Sequence, residues 1–224
     1  MSRREVSRRA GITGVGGWAL FGVLAVLVAA HGGAPLGPDD SLLSWSVGHR
    51  PAAALALARG VTATGTGVVP YTLAAVAGLA VGRTAPGRLR AAVLGVAFLA
   101  VGQALRYGVM ELLHRARPPR VDWATHATGF AFPSGHTTTS ALTAGLLIAA
   151  ISLRAPHAGT PLRIAVGCWG VSVGLSRVYL GVHWSTDVVG GWLFAAGWLG
   201  VCLWAAARWL PTSFLAGTAR TARR

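Results

Sequence analysis

Six long apolar stretches limit the folds that are open to this chain of 224 residues. A helix needs about 20 mostly apolar residues to cross the hydrocarbon core of a bilayer, and each stretch is close to that length. They cover residues 11–30, 60–82, 91–113, 137–153, 164–180 and 188–207. Charged residues form only 12% of the chain, roughly half of their share in an average soluble domain. The sequence therefore predicts an all-α protein, a polytopic membrane bundle with about six transmembrane helices, and its hydrophobicity excludes a disordered one.

The distribution of charge predicts the orientation of the bundle. Arginine supplies all 20 basic side chains, against 6 acidic residues, which gives a net charge of +14. A nucleic-acid-binding protein would carry such charge as a basic patch on a polar face, whereas these arginines mostly lie between the apolar stretches. Basic residues are more abundant in cytoplasmic segments of membrane proteins. Most of the arginines fall on the same side as the N-terminus, so we expect both termini in the cytoplasm and no nucleic-acid partner.

The chain outside the apolar stretches divides into short segments. We expect cytoplasmic tails at residues 1–10 and 211–224, on either side of one membrane domain at residues 11–210. Residues 41–58 are partly apolar but are interrupted at Pro51, which predicts an interfacial or amphipathic helix. The first apolar stretch is long for the core of a signal peptide, so we expect it to remain as an uncleaved anchor.

Functional side chains gather at the ends of four consecutive stretches. Because consecutive spans run antiparallel, the end of the third, the start of the fourth, the end of the fifth and the start of the sixth lie at one membrane face. These positions hold Arg117, His136, Arg177, His183 and Asp187. Ionisable groups at membrane depth are costly and usually functional. We therefore expect one site near the outer interface that combines imidazole, carboxylate and guanidinium groups.

The fourth span begins with the sequence Pro-Ser-Gly-His at residues 133–136. Ser134 is a favourable N-cap, and Gly135 lets a ligand approach the backbone closely. Free N–H groups at a helix N-terminus bind anions, and His136 would direct a titratable ring at such an anion. The alternative is a plain helix cap beside an interfacial histidine.

The spacing of Arg177, His183 and Asp187 is typical of a histidine that is held by a carboxylate. Residues four apart share a helix face, so Asp187 would accept the Nδ1–H of His183 and leave Nε2 free as a nucleophile. The planar fork of Arg177 suits phosphate oxygens. Two simpler interpretations stay open, in which Arg177 and Asp187 form a structural ion pair and Arg117 extends from the interface into water.

Taken together, these motifs resemble those of the type 2 phosphatidic acid phosphatase and vanadium haloperoxidase superfamily, in its integral-membrane branch. That family carries K-x6-R-P, P-S-G-H and S-R-x5-H-x3-D in this order. The second motif is complete at residues 133–136 and the third at residues 176–187. The first motif keeps the Arg-Pro pair at Arg117 but has Met110 where the family has lysine.

The resemblance implies a reaction through a phosphohistidine. His183 would attack phosphorus, and Asp187 would hold its tautomer and stabilise the imidazolium. His136 would protonate the leaving oxygen and then activate water. Neither a metal nor another cofactor is expected, because arginine side chains would spread the phosphoryl charge in place of Mg²⁺.

The resemblance also implies which groups hold the phosphate. These are the side chains of two arginines and the backbone N–H groups near a helix start, namely Arg117, Arg177, Ser134 and Gly135. Arg106 lies one helical turn before Met110 and is a candidate to replace the missing lysine. Arg115 and Arg120 are other candidates for that role.

The activity that the resemblance implies is hydrolysis of a lipid phosphate or diphosphate, such as a phosphatidate-type lipid or a polyprenyl diphosphate. The site would face the extracytoplasmic side of the plasma membrane. Two alternatives stay open. The change at Met110 favours a catalytically weak or inactive phosphate-binding protein or transporter. A vanadate-dependent haloperoxidase shares the motifs, but its known members are soluble.

Overall fold

The computed structural model describes residues 2–210, and all regular structure in this range is helical. This described range holds eight α-helices and one short 3-10 helix at Arg120–Asp122, which lies between the fifth and sixth α-helices. The helices are α1 (Arg3–Ala30), α2 (Asp39–Gly48), α3 (Ala52–Ala63), α4 (Val68–Val81), α5 (Ala85–Leu113), α6 (Gly135–Arg154), α7 (Thr160–Tyr179) and α8 (Ser185–Trp209).

Four of these helices, α1, α5, α6 and α8, are long and apolar enough to cross a membrane. The pair α3 and α4 together makes a fifth candidate, although the two helices meet at an angle of 52°. Helix α7 has 20 residues, enough for about 30 Å, but it is less apolar than the other four. Its position matches the fifth apolar stretch of the sequence. The all-α membrane architecture is as predicted, but residues 2–210 contain four or five candidate spans where the sequence predicted about six.

The second apolar stretch, 60–82, is not one helix, which corrects the prediction of a single span there. Helix α3 ends at Ala63 and α4 begins at Val68. Gly67, at the N-cap of α4, has φ +68°, a conformation that favours glycine. The predicted interfacial helix at 41–58 is likewise two helices, because Pro51 lies between α2 and α3.

Helix α1 already begins at Arg3, so most of the predicted N-terminal tail, residues 1–10, is helical. Ser2 caps this helix by accepting a hydrogen bond from the N–H of Glu5, which also pairs with Arg9 at 2.6 Å. Arg3 donates to the carbonyl oxygens of Ala207 and Leu210, so the start of α1 is hydrogen-bonded to the C-terminal end of α8. The predicted C-terminal tail lies outside the described residues.

Helices α1 and α8 pack side by side along small residues. Gly14 of α1 lies against the backbone of α8 at Gly200 and Val201, and Gly17 lies against Gly197. Such small residues allow the backbones of membrane helices to approach closely. This close packing along α1 holds α8 in place, and with it the start of α8 near the site.

An aromatic cluster fixes the start of α6 against α1 and α8. Phe132 is fully buried and stacks on Phe21 of α1, with 5.7 Å between the ring centroids. Phe194 of α8 packs against Phe21 edge to face. Because Phe132 directly precedes the Pro-Ser-Gly-His segment, this packing sets the position of the residues that follow.

Candidate active site

A cavity of about 420 Å³ opens among the end of α5, the start of α6, the end of α7 and the loop before α8. Its lining includes five of the predicted site residues and one further histidine, which lies in the loop at residues 114–134. They are Arg106, Arg117, His126, His136, Arg177 and His183. The antiparallel arrangement of the spans thus brings both histidines and both motif arginines to one place.

His183 and Asp187 form a directed pair at the base of this cavity. Nδ1 of His183 lies 3.3 Å from Oδ2 of Asp187, which also accepts the backbone N–H of Trp184 at 2.9 Å. A carboxylate at this nitrogen favours the tautomer that carries the proton on Nδ1. The lone pair is then on Nε2, the atom that faces Arg117.

The imidazole of His183 is kept neutral by its surroundings. The side chain is only 2% exposed, and this burial lowers the pKa of His183 well below its usual value. The positive charges of Arg117 and Arg177 lower the pKa of His183 further. A neutral ring is the form in which a histidine is a nucleophile.

The guanidinium of Arg117 is held by backbone carbonyl groups rather than extended into water, so the interfacial interpretation of this residue is wrong. Its three nitrogens donate to oxygens at 2.7–3.0 Å. The acceptors are the carbonyl oxygens of Thr128, Gly129, Phe130 and Val182. The same group reaches Nε2 of His183 at 2.8 Å. Arg117 therefore fixes a positive charge beside the candidate nucleophile.

Arg177 does not pair with Asp187, which overturns the interpretation of these residues as a structural ion pair. Its Nη1 donates to Oγ1 of Thr62 at 2.9 Å, and the side chain is almost fully buried. Within residues 2–210 its buried Nε has no hydrogen-bond partner. One edge of the fork is thus anchored on α3, while the residue itself lines the cavity.

The start of α6 contributes His136 and Gly135 to the cavity but not Ser134. Ser134 occupies the N-cap position without a capping hydrogen bond from its side chain, contrary to the prediction. Its Oγ accepts from Oγ1 of Thr137, and its backbone N–H donates to the carbonyl oxygen of Asp187 at 3.1 Å. The N–H predicted to bind phosphate is therefore already used to join α6 to α8.

Arg106 alone among the three candidate substitutes for the missing lysine lines the cavity. Its Nε donates to Oε1 of Gln103 at 2.9 Å, and Nη1 lies 3.4 Å from both the carbonyl oxygen of Pro133 and Sδ of Met110. This guanidinium lies directly beside Gly135, because a Cβ at residue 135 would make an ordinary van der Waals contact with its Cζ at 3.5 Å. Arg106 thus places a positive charge beside the start of α6, which the neutral side chain of Met110 cannot supply.

The other two candidates lie elsewhere. Arg120 stands over the ring of Trp123, 5.8 Å from its centroid. Arg115 is fully buried and bonds to Asp187 at 2.6 Å and to Asp39 at 2.8 Å. Neither arginine is among the residues that line the cavity.

Asp39 is the acidic residue of this region that sequence reasoning missed. It accepts hydrogen bonds from the hydroxyl of Ser185, from the N–H and hydroxyl of Thr186, and from Arg115. Burial would raise the pKa of Asp39, but hydrogen bonds from the N–H groups of Leu36 and Thr186 hold it below its usual value. No local signal marks this role, because Asp39 and Arg115 are far apart in the chain.

Between residues 2 and 210 no three His, Cys, Asp or Glu side chains are grouped so that they could hold an ion.

Comparison with known proteins agrees with these observations. The family model of the PAP2 superfamily matches residues 90–211. Phosphatidylglycerophosphatase B of Bacillus subtilis (strain 168) is 41% identical over 87 residues, which cover 36% of this chain and 41% of that protein. Phosphatidylglycerophosphatase B of Escherichia coli (strain K12) is 40% identical over 81 residues, 36% of this chain and 31% of that protein. The similarity thus spans less than half the length of these curated relatives.

A solved structure has the same fold. It is the crystal structure of the first transmembrane PAP2 type phosphatidylglycerolphosphate phosphatase from Bacillus subtilis, with a TM-score of 0.72. The superposition covers 85% of this chain and 94% of that one, at 24% sequence identity. The likeness establishes an all-α, membrane-integral fold for this chain.

Proposed function

This chain belongs to the PAP2 superfamily, and from that premise we propose that it is a membrane enzyme that hydrolyses a lipid phosphate or diphosphate through a phosphohistidine. The observation that carries the proposal is the pair His183–Asp187. Nε2 of His183 lies 2.8 Å from Nη1 of Arg117, at a cavity that His136 and Arg177 also line. A protein that only binds phosphate needs neither a neutral imidazole oriented by a carboxylate nor a second imidazole beside it.

In the first step, Nε2 of His183 attacks phosphorus and the bond from phosphorus to the lipid oxygen breaks. His136 gives its proton to that leaving oxygen, which departs as an alcohol or, from a diphosphate, as a monophosphate. Asp187 accepts the Nδ1–H and stabilises the positive ring that forms. In the second step, His136 takes a proton from water, the water oxygen attacks phosphorus, and the P–N bond breaks to free His183 and inorganic phosphate.

Charge stabilisation would come from guanidinium groups. Arg117 and Arg177 bind the equatorial oxygens of the phosphoryl group, and Arg106 takes the place of the motif lysine beside the backbone of Gly135. Fixed donors aimed at developing charge are commonly the largest contribution to catalysis of this type. With three arginines around one cavity, no metal ion is required in the proposal.

The substrate is proposed to be a lipid whose head group enters the cavity while its chains stay in the bilayer. The cavity lies at the ends of helices long enough to cross a membrane, which is the level of the head groups. Two similar proteins bear the name phosphatidylglycerophosphatase B, so phosphatidylglycerol phosphate is the first candidate, with phosphatidate and polyprenyl diphosphates next. We also propose the plasma membrane, an extracytoplasmic site and cytoplasmic termini.

Phosphate release by the protein purified in detergent tests this proposal. We expect release from at least one of phosphatidylglycerol phosphate, phosphatidate and a polyprenyl diphosphate, and equal release with a chelator present. His183→Ala should remove the release, whereas His157→Ala, at an exposed loop position, should not change it. Substrate labelled with ³²P should leave an acid-labile label on the wild-type protein and none on His183→Ala. Release that is unchanged in His183→Ala, or that stops on chelation, would reject the mechanism.

A second candidate is a protein that binds lipid phosphate without turnover, which the loss of the motif lysine at Met110 favours. Its expected result is saturable binding of a lipid phosphate with no phosphate release from any member of the panel.

A further inference from the structure

A buried chain of charges lies behind His183, on the side away from the cavity. Asp187 touches the ring of His183, Arg115 bonds to Asp187, and Asp39 bonds to Arg115. The side chains of Asp39, Arg115 and Asp187 are each 0% exposed. Two of these three residues, Asp39 and Arg115, belong to none of the sequence motifs.

We propose that Asp39 and Arg115 are positioning residues that hold the carboxylate of Asp187 in place while leaving its negative charge available to His183. The inference rests on the proposed function, since it concerns how the nucleophile of that reaction is supported. It adds two residues that contact neither the cavity nor the reacting atoms.

The two carboxylate oxygens of Asp187 have different hydrogen-bond partners. Oδ1 accepts from Nη1 of Arg115 at 2.6 Å, while Oδ2 accepts from the N–H of Trp184 and faces Nδ1 of His183. With Oδ1 fixed, the carboxylate cannot rotate away from the imidazole. A carboxylate oriented in this way keeps the histidine in one tautomer, because the hydrogen bond at one ring nitrogen decides which nitrogen carries the proton.

The charges explain why a second carboxylate is present. Arg115 alone would neutralise Asp187 and leave little negative potential at His183, whose ring becomes positive when Nε2 bonds to phosphorus. Asp39 lies 2.8 Å from Nη2 of the same guanidinium and restores one net negative charge to the group. At low dielectric such a balance has a strong effect, because Coulomb energies inside a protein greatly exceed those in water.

Hydroxyl groups complete the support and show that the site is built for a charged Asp39. Oγ of Ser185 and Oγ1 of Thr186 donate to its two oxygens at 2.7 Å, and the N–H of Thr186 donates at 2.9 Å. Ser185 and Thr186 open α8 directly before Asp187. Helix α2, the loop that holds Arg115 and the start of α8 are thereby joined at one point.

The test compares steady-state kinetics of Asp39→Asn with those of wild type. We expect kcat to fall about tenfold or more, the size of the loss when the outer partner of a metal-bound histidine is removed. KM should stay within about twofold, because neither Asp39 nor Arg115 lines the cavity. Asp40→Asn, at the exposed neighbouring position, is the matched control and should behave as wild type.

A double variant separates charge balance from structural support. Asp39→Asn removes one negative charge, and adding Arg115→Met removes one positive charge, so the net charge behind His183 returns to its wild-type value. The double variant leaves Asp187 as a single buried charge, so its thermal unfolding in detergent is measured beside its turnover. We expect the double variant to turn over at least threefold faster than Asp39→Asn alone, whereas a purely structural role predicts a slower one.

The outcomes are distinct from those of the proposed function. If wild type releases no phosphate, or His183→Ala releases it equally, the proposed reaction fails. If wild type is active through His183 but Asp39→Asn keeps wild-type kcat, or the double variant is no faster than Asp39→Asn, the positioning role alone is overturned. Should Asp39→Asn fail to fold, Thr186→Val decides, with a lowered kcat and constant KM expected and an unchanged kcat overturning the inference.

Discussion

The Nη1 atom of Arg117 lies 2.8 Å from Nε2 of His183, so the nitrogen that would attack phosphorus already meets a guanidinium group. The other hydrogen bonds of Arg117 go to carbonyl oxygens of the loop before α6 and of Val182. The charge beside His183 is therefore fixed before any substrate enters, as preorganised electrostatic stabilisation requires.

Arg117→Lys should lower kcat/KM by a factor that corresponds to about 2–4 kcal/mol of transition-state stabilisation. A lysine keeps the charge but lacks the planar fork that binds several carbonyl oxygens and phosphate together. Steady-state phosphate release measures the effect. Arg120→Lys, in the same loop but outside the cavity lining, should leave kcat/KM unchanged, and an equally active Arg117→Lys would show that the fork is not needed.

Arg106→Ala should lower kcat/KM about tenfold or more if this residue replaces the motif lysine. Adding Met110→Lys to that variant should recover part of the activity, because a cation is returned to the same region. Met110→Lys alone should not help, since its ammonium would lie close to the guanidinium of Arg106. Arg90→Ala, at an exposed position near the other end of α5, is the control. Full activity of Arg106→Ala would reject this replacement.

The stability difference between wild type and Asp39→Asn should depend on pH. The pKa of Asp39 is below its usual value in the folded protein, so the unfolded chain binds its proton first as the pH falls. The stabilisation by the charged Asp39 is complete above about pH 4, the usual pKa of an aspartate in an unfolded chain. It is lost as the pH falls through the lower pKa of Asp39 in the folded protein. Thermal unfolding in detergent between pH 3 and 7 should show a difference in Tm that is largest at neutral pH. A difference that grows towards acid pH would contradict the charged form of Asp39.

Gly17→Ala should destabilise the protein by about 1–3 kcal/mol, the usual cost of forcing extra volume into a packed interface. A Cβ at residue 17 would lie 2.6 Å from the backbone nitrogen of Gly197. The neighbouring Gly16 has nothing within 4 Å of such a Cβ, so Gly16→Ala should be neutral or gain about 1 kcal/mol from helix propensity. Thermal unfolding of both variants in detergent measures the contrast, and equal effects would deny the close approach of α1 and α8.

The main features of the fold follow from sequence because the length of an apolar stretch is a local property. The position of the break between α3 and α4 does not, since Gly65 there is required by the side chain of Val173, far along the chain. The same distinction holds in the cavity. His183 and Asp187 are one helical turn apart and could be paired from their spacing, whereas the partner of Arg177 is Thr62, and no pattern joins them.

The role of Arg115 could not be predicted from its residue type. Its position two residues before Arg117 makes it a plausible phosphate ligand in sequence, yet it is fully buried between Asp39 and Asp187. Only the fold brings Asp39 to it, through the short helix α2 that precedes the matched family segment.

Arg115 takes one of its two carboxylate partners, Asp39, from the part of the chain that precedes residue 90, and the partner of Arg177, Thr62, lies there too. A fragment cut to the segment that the family model covers would keep every motif residue and lose the anchors of two of its arginines. The motifs are consequently not a transferable module, and grafting them onto another helical scaffold would require α2 and α3, which supply these partners, to be transplanted with them.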